Sequence, residues 1–494
     1  MPAGRAPRPG RRRLRQRTRH RHAAERLGRD DGPEARARRA GTAGPVLLDQ
    51  VDDRALPLLG GRHRGRGDRP DDRDRDRPAD DPLRRARPGL RPGRRPEPLA
   101  RAPRPRRPLQ LLRLRRELDR RGLRGGRVKA PVVTGAGAVT ALGRGLFATR
   151  SALAEGKSAL APVPRQDGAV PRHASPAGRI GAFATDPELP RSKARRLDLG
   201  SQYAVVAARQ CLAAAGYEMK GREERTGILL GTGSAGAGPL TEFERQMAAD
   251  SPENASPFLF PYTVANAPAS VVAIELGIQG PNVTLIHKDP APLNALFYGR
   301  MALADSRADA LLVGAADEWN LVYHEVYERL RVTRSDLHPG FALGEGAALL
   351  LVETEEAALA RGARPWARVS GVVMRPSAIC PHRRRAEPAA LAEAMRAALA
   401  DAGLAPADVG LVHLSADGVP WMDAAEREAL ATVFGDNRPP TAEVKSQLGE
   451  NPAIVAVQMA IASAELRDEP SLGCVLVNAF GAGGNFLSLA LTAA

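Results

Sequence analysis

Short, uninterrupted runs of apolar residues recur along residues 128–494 and alternate with longer segments of helical periodicity. Residues 226–230, 310–314 and 347–352 are such runs, whereas residues 197–215 and 389–402 carry apolar side chains at helical spacing. Because the runs lack alternating polar positions, they are typical of strands covered on both faces of a sheet. The pattern therefore predicts an α/β fold in which layers of helices enclose the sheets.

The order of strand and helix signals occurs twice along this part of the chain. Further apolar runs lie at residues 131–134, 409–414, 472–478 and 486–491. We expect the first of these strands to end at Gly135. We also expect Gly216 to cap the carboxyl end of the helix predicted over residues 197–215. The sequence thus predicts two similar halves, residues 128–370 and 371–494, without obvious sequence identity.

The first quarter of the chain has a different composition. Residues 1–127 contain 39 Arg and no Lys against 17 Asp and Glu, a net charge of +22, and they lack Phe, Tyr, Trp and Ile. So few large apolar side chains cannot offset the entropy lost on ordering, so we expect a disordered Arg/Pro-rich segment. Three interpretations of this segment are open: an Arg-rich arm that binds RNA, a solvated tail, or residues that lie upstream of the true start of the protein. We favour the third interpretation, with the product beginning near Val128, because the composition follows GC-rich codons and the first lysine is Lys129.

The rest of the chain excludes several classes of protein. It carries 34 basic and 39 acidic residues, so its net charge of −5 does not indicate nucleic-acid binding. Cys211, Cys380 and Cys474 lie far apart, without CxxC or metal-ligand spacing. This usage predicts a reduced, cytoplasmic protein with no disulfide, no metal and no cofactor site. No stretch reaches the ~18–20 continuous apolar residues that a membrane span needs, and no secretory signal follows Met1.

Six short motifs occur in an order that resembles β-ketoacyl synthases. They are VTGAG (133–137), RRLD (195–198), NAPA (266–269), GFALGEGA (340–347), KSQLG (445–449) and NAFGAGGN (478–485). A further segment, GPNVTLIHKD at 280–289, is similar to the nucleophile region of that family. The resemblance covers about three quarters of the chain. It implies the thiolase fold, in which two similar α/β halves stack as five layers, αβαβα, normally in a dimer.

The resemblance also shows that all three catalytic positions are altered. Active members use one Cys, which accepts the acyl chain, and two His, which stabilise the enolate and oxyanion as a malonyl carrier loses carbon dioxide. Counting without gaps, the cysteine position is Asp289. The first histidine position is Ser415, in a register fixed by Pro420 and Asp423, and the second is Glu450. The resemblance therefore implies a degenerate site in which none of these residues is expected to be catalytic.

Structural explanations compete with functional ones at several positions. Asp289 followed by Pro290 is typical of the N-cap and N1 positions of a helix over residues 290–304, worth about 1 kcal/mol. We favour helix capping and pocket polarity over catalysis, while Asp289 and Glu450 could also form an acid/base pair. The Gly-rich turn at 231–236 lacks a full dinucleotide fingerprint, so we interpret it as a packing turn.

Three residues match positions around the family's acyl pocket. Phe341 matches a gating phenylalanine, although a core role suits it equally well. Lys445 matches a lysine that helps to order the site, and Phe480 lies in the last motif. We expect all three to lie at the acyl pocket.

Three other polar residues near these motifs have simpler explanations. His413 precedes the first histidine position at the end of a strand, and we expect it to be packed or locally hydrogen-bonded. His287 and Lys288 flank the nucleophile position. We expect their side chains to contact solvent or a partner protein, while Lys288 could also pair with a carboxylate.

A chain of this family without Cys and His resembles the chain length factor of type II polyketide and aryl polyene ketosynthases. The stretch ADGVPWMD at 416–423 is closer to that subfamily than to active enzymes. The resemblance implies a heterodimer with an active ketosynthase, a role in shaping the acyl tunnel, and an acyl carrier protein as partner, with no nucleic acid and no membrane. Many such subunits carry Gln at the nucleophile position, which has been linked with decarboxylation, and Asp289 departs from this.

Two other functions remain open from the sequence. One is a self-sufficient malonyl-carrier decarboxylase or atypical condensing enzyme that uses Asp289 and Glu450. The other is an Arg-rich nucleic-acid protein, whose binding would require residues 1–127.

Overall fold

The structure is a computed structural model that describes residues 130–164, 174–183, 185, 187–249, 252–377 and 386–494. The disorder, altered start and nucleic-acid binding considered for residues 1–127 lie outside this range, as does Cys380. Cys211 and Cys474 are buried free thiols. Among the helices of the described ranges, none combines the length and the apolar composition that a membrane span requires.

The described residues form a large sheet and a small one. In chain order the strands are β1 (Val132–Thr140), β2 (Gly143–Arg144), β3 (Leu160–Pro162), β4 (Pro176–Gly178), β5 (Thr226–Thr232), β6 (Asn282–Ile286), β7 (Ala310–Asp317), β8 (Leu343–Gly344), β9 (Gly346–Glu353), β10 (Ala367–Pro376), β11 (Val409–His413), β12 (Thr441–Ala442), β13 (Cys474–Phe480) and β14 (Asn485–Thr492). The small sheet consists of β3, β4 and β8.

Helices connect most of these strands. They are α1 (Leu146–Ala154), α2 (Arg191–Ala194), α3 (Leu199–Ala215), α4 (Ala237–Ala249), α5 (Ala267–Leu276), α6 (Ala291–Ala304), α7 (Leu321–Arg329), α8 (Glu355–Ala360), α9 (Pro388–Ala402), α10 (Pro420–Phe434), α11 (Lys445–Leu448) and α12 (Pro452–Asp468). Gly216 adopts the left-handed conformation after α3, which confirms its predicted role as the cap.

The large sheet contains the same arrangement of strands twice. Its order is β12-β11-β13-β14-β10-β1-β9-β7-β5-β6, with β2 paired to β1. Each half contributes five strands, which we number in chain order within that half. Read from the outer edge of the sheet towards its centre, both halves have the order third, second, fourth, fifth, first. In both halves the first two pairs of neighbours are parallel and the next two are antiparallel. The prediction of two similar α/β halves is therefore confirmed. The predicted boundary at 370/371 falls within β10, whose first residue is Ala367.

Five layers follow from the positions of the helices. Helices α3 and α5 cover one face of the first half, and α6 and α12 cover its other face. Helix α12 also packs against β13 and β14 of the second half, whose far face is covered by α9, with α10 against α9. Because α12 lies between the two halves of the sheet, it is buried along almost its whole length.

The first strand is longer than the sequence indicates. We expected it to end at Gly135, but β1 continues to Thr140 and bends at a bulge between Val133 and Gly135. The glycine is present because α3 packs closely: a Cβ at Gly135 would lie 2.7 Å from the backbone nitrogen of Ala215. The prediction was wrong because this glycine serves helix–sheet packing rather than a turn.

Candidate functional site

A cavity of about 880 Å³ contains all three altered positions. Its lining includes residues within two positions of the ends of β5, β6, β11 and β13, so it lies at the carboxyl ends of parallel strands from both halves. Aromatic and aliphatic side chains such as Tyr323, Leu330 and Trp421 form much of its wall. Both the location and the volume are typical of a site that binds an organic ligand.

Asp289 lies in the short connection between β6 and α6. Lys288 before it has a left-handed backbone with φ 54°, which is uncommon for a residue other than glycine. Helix α6 begins at Ala291, with Pro290 at the N-cap position and no capping side chain. The predicted N-cap role of Asp289 was therefore wrong. Its carboxylate instead lies 3.8 Å from Lys445 Nζ, because a buried ammonium attracts it more strongly than a helix terminus.

Lys445 and Glu450 form the buried part of the site. Lys445 Nζ lies 2.8 Å from Glu450 Oε2, and the exposed fractions of the two side chains are 1% and 9%. Burial and the nearby charge of Asp289 raise the pKa of Glu450. Burial lowers the pKa of Lys445, but Glu450 and Asp289 outweigh this effect and leave the pKa raised. The ammonium therefore stays charged, and Glu450 favours its protonated form more than a free glutamate does.

Ser415 is occupied by structural hydrogen bonds. Its hydroxyl accepts a hydrogen bond of 2.9 Å from the N–H of Phe480, and its own N–H donates to Glu426 Oε1 at 3.0 Å. Glu426 also accepts a bond of 2.9 Å from Asn478 Nδ2. Burial raises the pKa of Glu426 to about 7. Ser415 thus joins the ends of β11 and β13.

Asp417 is a site residue that was not predicted from the sequence. Carboxylate oxygens of Asp289, Asp417 and Glu450 lie within 4.8 Å of one another. Burial raises the pKa of Asp417 to about 6, although the charge of Lys445 opposes this. The signal was present, since Asp417 lies only two residues after Ser415, which the motif register assigns to a histidine position. Three carboxylates at this spacing could suit a divalent cation, but Lys445 already supplies positive charge, so we assign no metal.

The residues expected at the acyl pocket all lie at the cavity or directly behind it. Phe341 and Phe480 line the cavity. Phe341 packs edge-on against Tyr327 with ring centroids 5.3 Å apart, and Phe480 is buried. Lys445 lies behind the wall and reaches Asp289 and Glu450.

The structure also places the neighbouring polar residues. Lys288 Nζ donates a 2.7 Å hydrogen bond to the hydroxyl of Tyr327 rather than to a carboxylate of the described residues. His287 is exposed and contacts Asn294. His413 is buried with Nε2 2.8 Å from Glu465 Oε2, in agreement with the expectation of local packing.

The Gly-rich turn after β5 is held by an internal carboxylate. The N–H groups of Gly233 and Ser234 donate to Asp317 at 3.0 and 2.7 Å. Because Asp317 occupies these donors, they are not available to a phosphate. This agrees with the interpretation of the segment as a packing turn.

Comparison with known proteins decides the family. Residues 130–358 match the N-terminal domain of the β-ketoacyl synthases, and residues 367–466 match their C-terminal domain. The chain belongs to the β-ketoacyl synthase family. Over 323 residues it is 27% identical to 3-oxoacyl-[acyl-carrier-protein] synthase 2 of Staphylococcus aureus (strain COL), covering 62% of this chain and 78% of that protein.

Two solved structures also resemble this member of the β-ketoacyl synthase family. The ishigamide ketosynthase/chain length factor is 25% identical with a TM-score of 0.67, covering 74% of this chain and 99% of that one. A ketosynthase in complex with its chain length factor from Xenorhabdus doucetiae is 21% identical with a TM-score of 0.62, covering 74% and 98%. The thiolase-like fold is therefore confirmed.

This member of the β-ketoacyl synthase family has carboxyl and hydroxyl groups at the three catalytic positions that the motif register predicts. The fold brings Asp289, Ser415 and Glu450 to one cavity, as their motif positions predict. A carboxylate is a far weaker acyl acceptor than a thiolate. The carboxyl groups can exchange protons with a ligand, whereas the hydroxyl oxygen of Ser415 already accepts the N–H of Phe480.

Proposed function

We propose that this chain is a non-catalytic subunit similar to a chain length factor. It pairs with an active ketosynthase, shapes the tunnel for the growing acyl chain in type II polyketide or polyene elongation, and works with an acyl carrier protein in the cytoplasm. The observation that carries this proposal is the contact of Asp289 with Lys445 at the nucleophile position. A carboxylate held by a buried ammonium there leaves no thiolate to accept an acyl chain, and neither Ser415 nor Glu450 replaces a histidine in stabilising an enolate.

An exposed apolar surface supports the partner in this proposal. Strand β6 ends the large sheet and, within the described residues, pairs only with β5. The edge surface is defined by exposed side chains on β6 and its two flanking helices, namely Ile274, Val283, Ile286, Tyr298 and Met301. An unpaired apolar strand edge is a template for a second chain. Because β6 leads directly to Asp289, a partner bound there lies beside the cavity, and the ishigamide relative is itself described as a ketosynthase/chain length factor.

The test of this proposal is the composition and activity of the assembly. The full chain is co-expressed with a ketosynthase subunit that retains the Cys-His-His site, and the complex is analysed by size-exclusion chromatography with mass spectrometry. We expect a 1:1 complex, and chain elongation only when both subunits are present. A stable homodimer that never associates with such a subunit would contradict the proposal.

The second candidate is a self-sufficient malonyl-carrier decarboxylase or atypical condensing enzyme. It is favoured by the position of Asp289 and Glu450, which both line the cavity with Lys445 within reach of each. Release of carbon dioxide from a malonyl carrier by the purified chain separates the two functions. Release that disappears in Asp289→Ala would favour the second candidate over the first.

A further inference from the structure

The inner part of the cavity is unusually rich in carboxyl groups. Among the described residues these are Asp289, Asp417, Asp423, Glu426 and Glu450. Asp423 accepts the backbone N–H groups of Asp417 and Gly418, and Glu426 accepts that of Ser415. Glu450 differs, because its Oε1 accepts no hydrogen bond from any described donor although the side chain is only 9% exposed. A buried carboxyl group that lines the cavity therefore has an oxygen without a donor.

The positive charges of the site do not neutralise this region. Lys445 is paired with Glu450 and contributes no atom to the cavity wall among the described residues. Lys288 and Arg331 do line the cavity, but both residues are exposed, and Lys288 already donates to the hydroxyl of Tyr327. The cations that line the cavity thus lie at its solvent side, whereas the carboxyl groups lie at its buried side with Lys445 behind the wall.

We infer that this cavity admits uncharged acyl chains and rejects chains that carry a terminal carboxylate, such as a malonyl group. The inference rests on the proposed function, since it takes acyl thioesters to be the ligands of the cavity. A carboxylate that leaves water needs a cation or several donors in exchange. Here it would instead meet the carboxyl groups of Asp289, Asp417 and Glu450, whose oxygens lie within 4.8 Å of one another. Burial and the neighbouring charges already raise the pKa of Asp417 and Glu450, so this region disfavours negative charge and would disfavour a further carboxylate for the same reason. A neutral β-keto chain loses much less on entry and gains contact with the apolar wall.

Two thioesters of nearly equal size test this selectivity. Malonyl-pantetheine ends in a carboxylate, whereas acetoacetyl-pantetheine ends in a methyl ketone, and the two compounds are otherwise identical. Binding to the full chain is followed through the fluorescence of Trp421, which lines the cavity, and Trp421→Phe identifies the part of the signal that comes from this site. We expect acetoacetyl-pantetheine to bind at least tenfold more tightly than malonyl-pantetheine.

Removal of charge from the cavity should abolish the difference. In Asp417→Asn/Glu450→Gln, the side-chain oxygen at position 417 can still accept from the N–H of Val419. The side-chain oxygen at position 450 can still lie beside Lys445. We expect malonyl binding to tighten at least tenfold relative to acetoacetyl binding, so that the two affinities become similar, and thermal unfolding shows that the variant is folded. The matched control Glu428→Gln/Asp436→Asn removes the same formal charge from exposed positions and should change neither affinity.

Three results would overturn the inference. They are equal affinities in the unaltered chain, an unchanged ratio in the cavity variant, and absence of binding by both probes. If the cavity variant loses acetoacetyl binding, Asp417→Asn alone replaces it, and an unchanged ratio there counts against the inference. Because these measurements use the chain without its partner, failure of the selectivity is distinct from failure to assemble with a ketosynthase.

Discussion

The ammonium of Lys445 lies 2.8 Å from Glu450 Oε2, in an interior where both side chains are less than a tenth exposed. The motif register predicts a histidine position for Glu450, so Lys445 pairs with a residue predicted to replace a catalytic group. Asp289 at 3.8 Å and Asp417 add further negative charge around the same cation. The arrangement makes the stability of this region depend on one ammonium group.

Lys445→Met should strongly destabilise the fold. The substitution leaves Glu450 and Asp289 without their cation, and loss of one partner of a buried pair costs about 3–5 kcal/mol. The free energy of unfolding, measured by urea titration, should fall by this amount at pH 8 and by less at pH 5, where Glu450, whose pKa is raised, is more fully protonated. Lys157→Met is the control, because Lys157 pairs with Glu155 at the surface and its loss should cost less than about 1 kcal/mol. Equal effects of the two substitutions would contradict the importance of the buried pair.

Ser415→Ala should affect stability. The N–H of Phe480 would lose its acceptor inside the protein, which costs about 1–3 kcal/mol. Thermal unfolding should show the loss, whereas Ser446→Ala, at an exposed serine, should change the midpoint little. No loss of stability in Ser415→Ala would show that the hydroxyl does not join the two strands.

Glu426 should make the protein less stable as the pH rises. Burial raises its pKa from the ordinary value of 4.5 to about 7, while Lys445 opposes this and Asp423 adds to it. Because the unfolded chain loses this proton at lower pH than the folded one, the stabilisation is complete below pH 4.5 and is lost between pH 4.5 and 7. The loss amounts to about 3 kcal/mol. Glu426→Gln should flatten the plot of unfolding free energy against pH, while Glu428→Gln, at an exposed position on the same helix, should leave it unchanged.

Ile286→Lys should prevent assembly with the ketosynthase partner. The substitution places a charge on the edge surface, where a partner strand would bury it. Analytical ultracentrifugation of the co-expressed subunits should show at least a hundredfold weaker association. Leu359→Lys is matched to it, because Leu359 is 60% exposed and Ile286 is 61% exposed, but Leu359 lies on α8. An assembly that tolerates Ile286→Lys would exclude β6 as the interface.

Asp289→Cys should not produce a working condensing enzyme. The thiol would be restored, but Ser415 and Glu450 cannot stabilise the enolate of a malonyl carrier as two histidines do. Mass spectrometry with acyl and malonyl carriers should therefore show no elongated product from the variant chain alone. The triple variant Asp289→Cys/Ser415→His/Glu450→His provides the comparison. Elongation by the single variant would show that the two other replacements are not the reason for inactivity.

The sequence predicts the family and the two-half topology because both depend on local patterns. Continuous apolar runs mark the buried strands, and the motifs are conspicuous because glycines such as Gly135 permit close backbone contacts. The cavity was also predictable in part, since the register of three motifs assigns Asp289, Ser415 and Glu450 to one centre.

The remaining features depend on contacts between distant segments. The signal for an N-cap at Asp289 is local, but the carboxylate turns to Lys445, which lies more than a hundred residues away in the sequence. The hydrogen bond from Phe480 to Ser415 likewise joins two strands that no periodicity relates. Asp417 was overlooked because an acidic residue in a loop is ordinary until the fold brings two others beside it.

The edge surface along β6 carries a risk for the cell that makes this protein. A strand that offers free hydrogen-bonding groups and apolar side chains can pair with any extended segment, including a second unfolded copy. Under the proposed pairing, a molecule without its ketosynthase is a nucleus for aggregation. Synthesis of the two proposed subunits in matched amounts, at the same place and time, would protect against it, so the geometry of one strand bears on how the two proteins would be produced together.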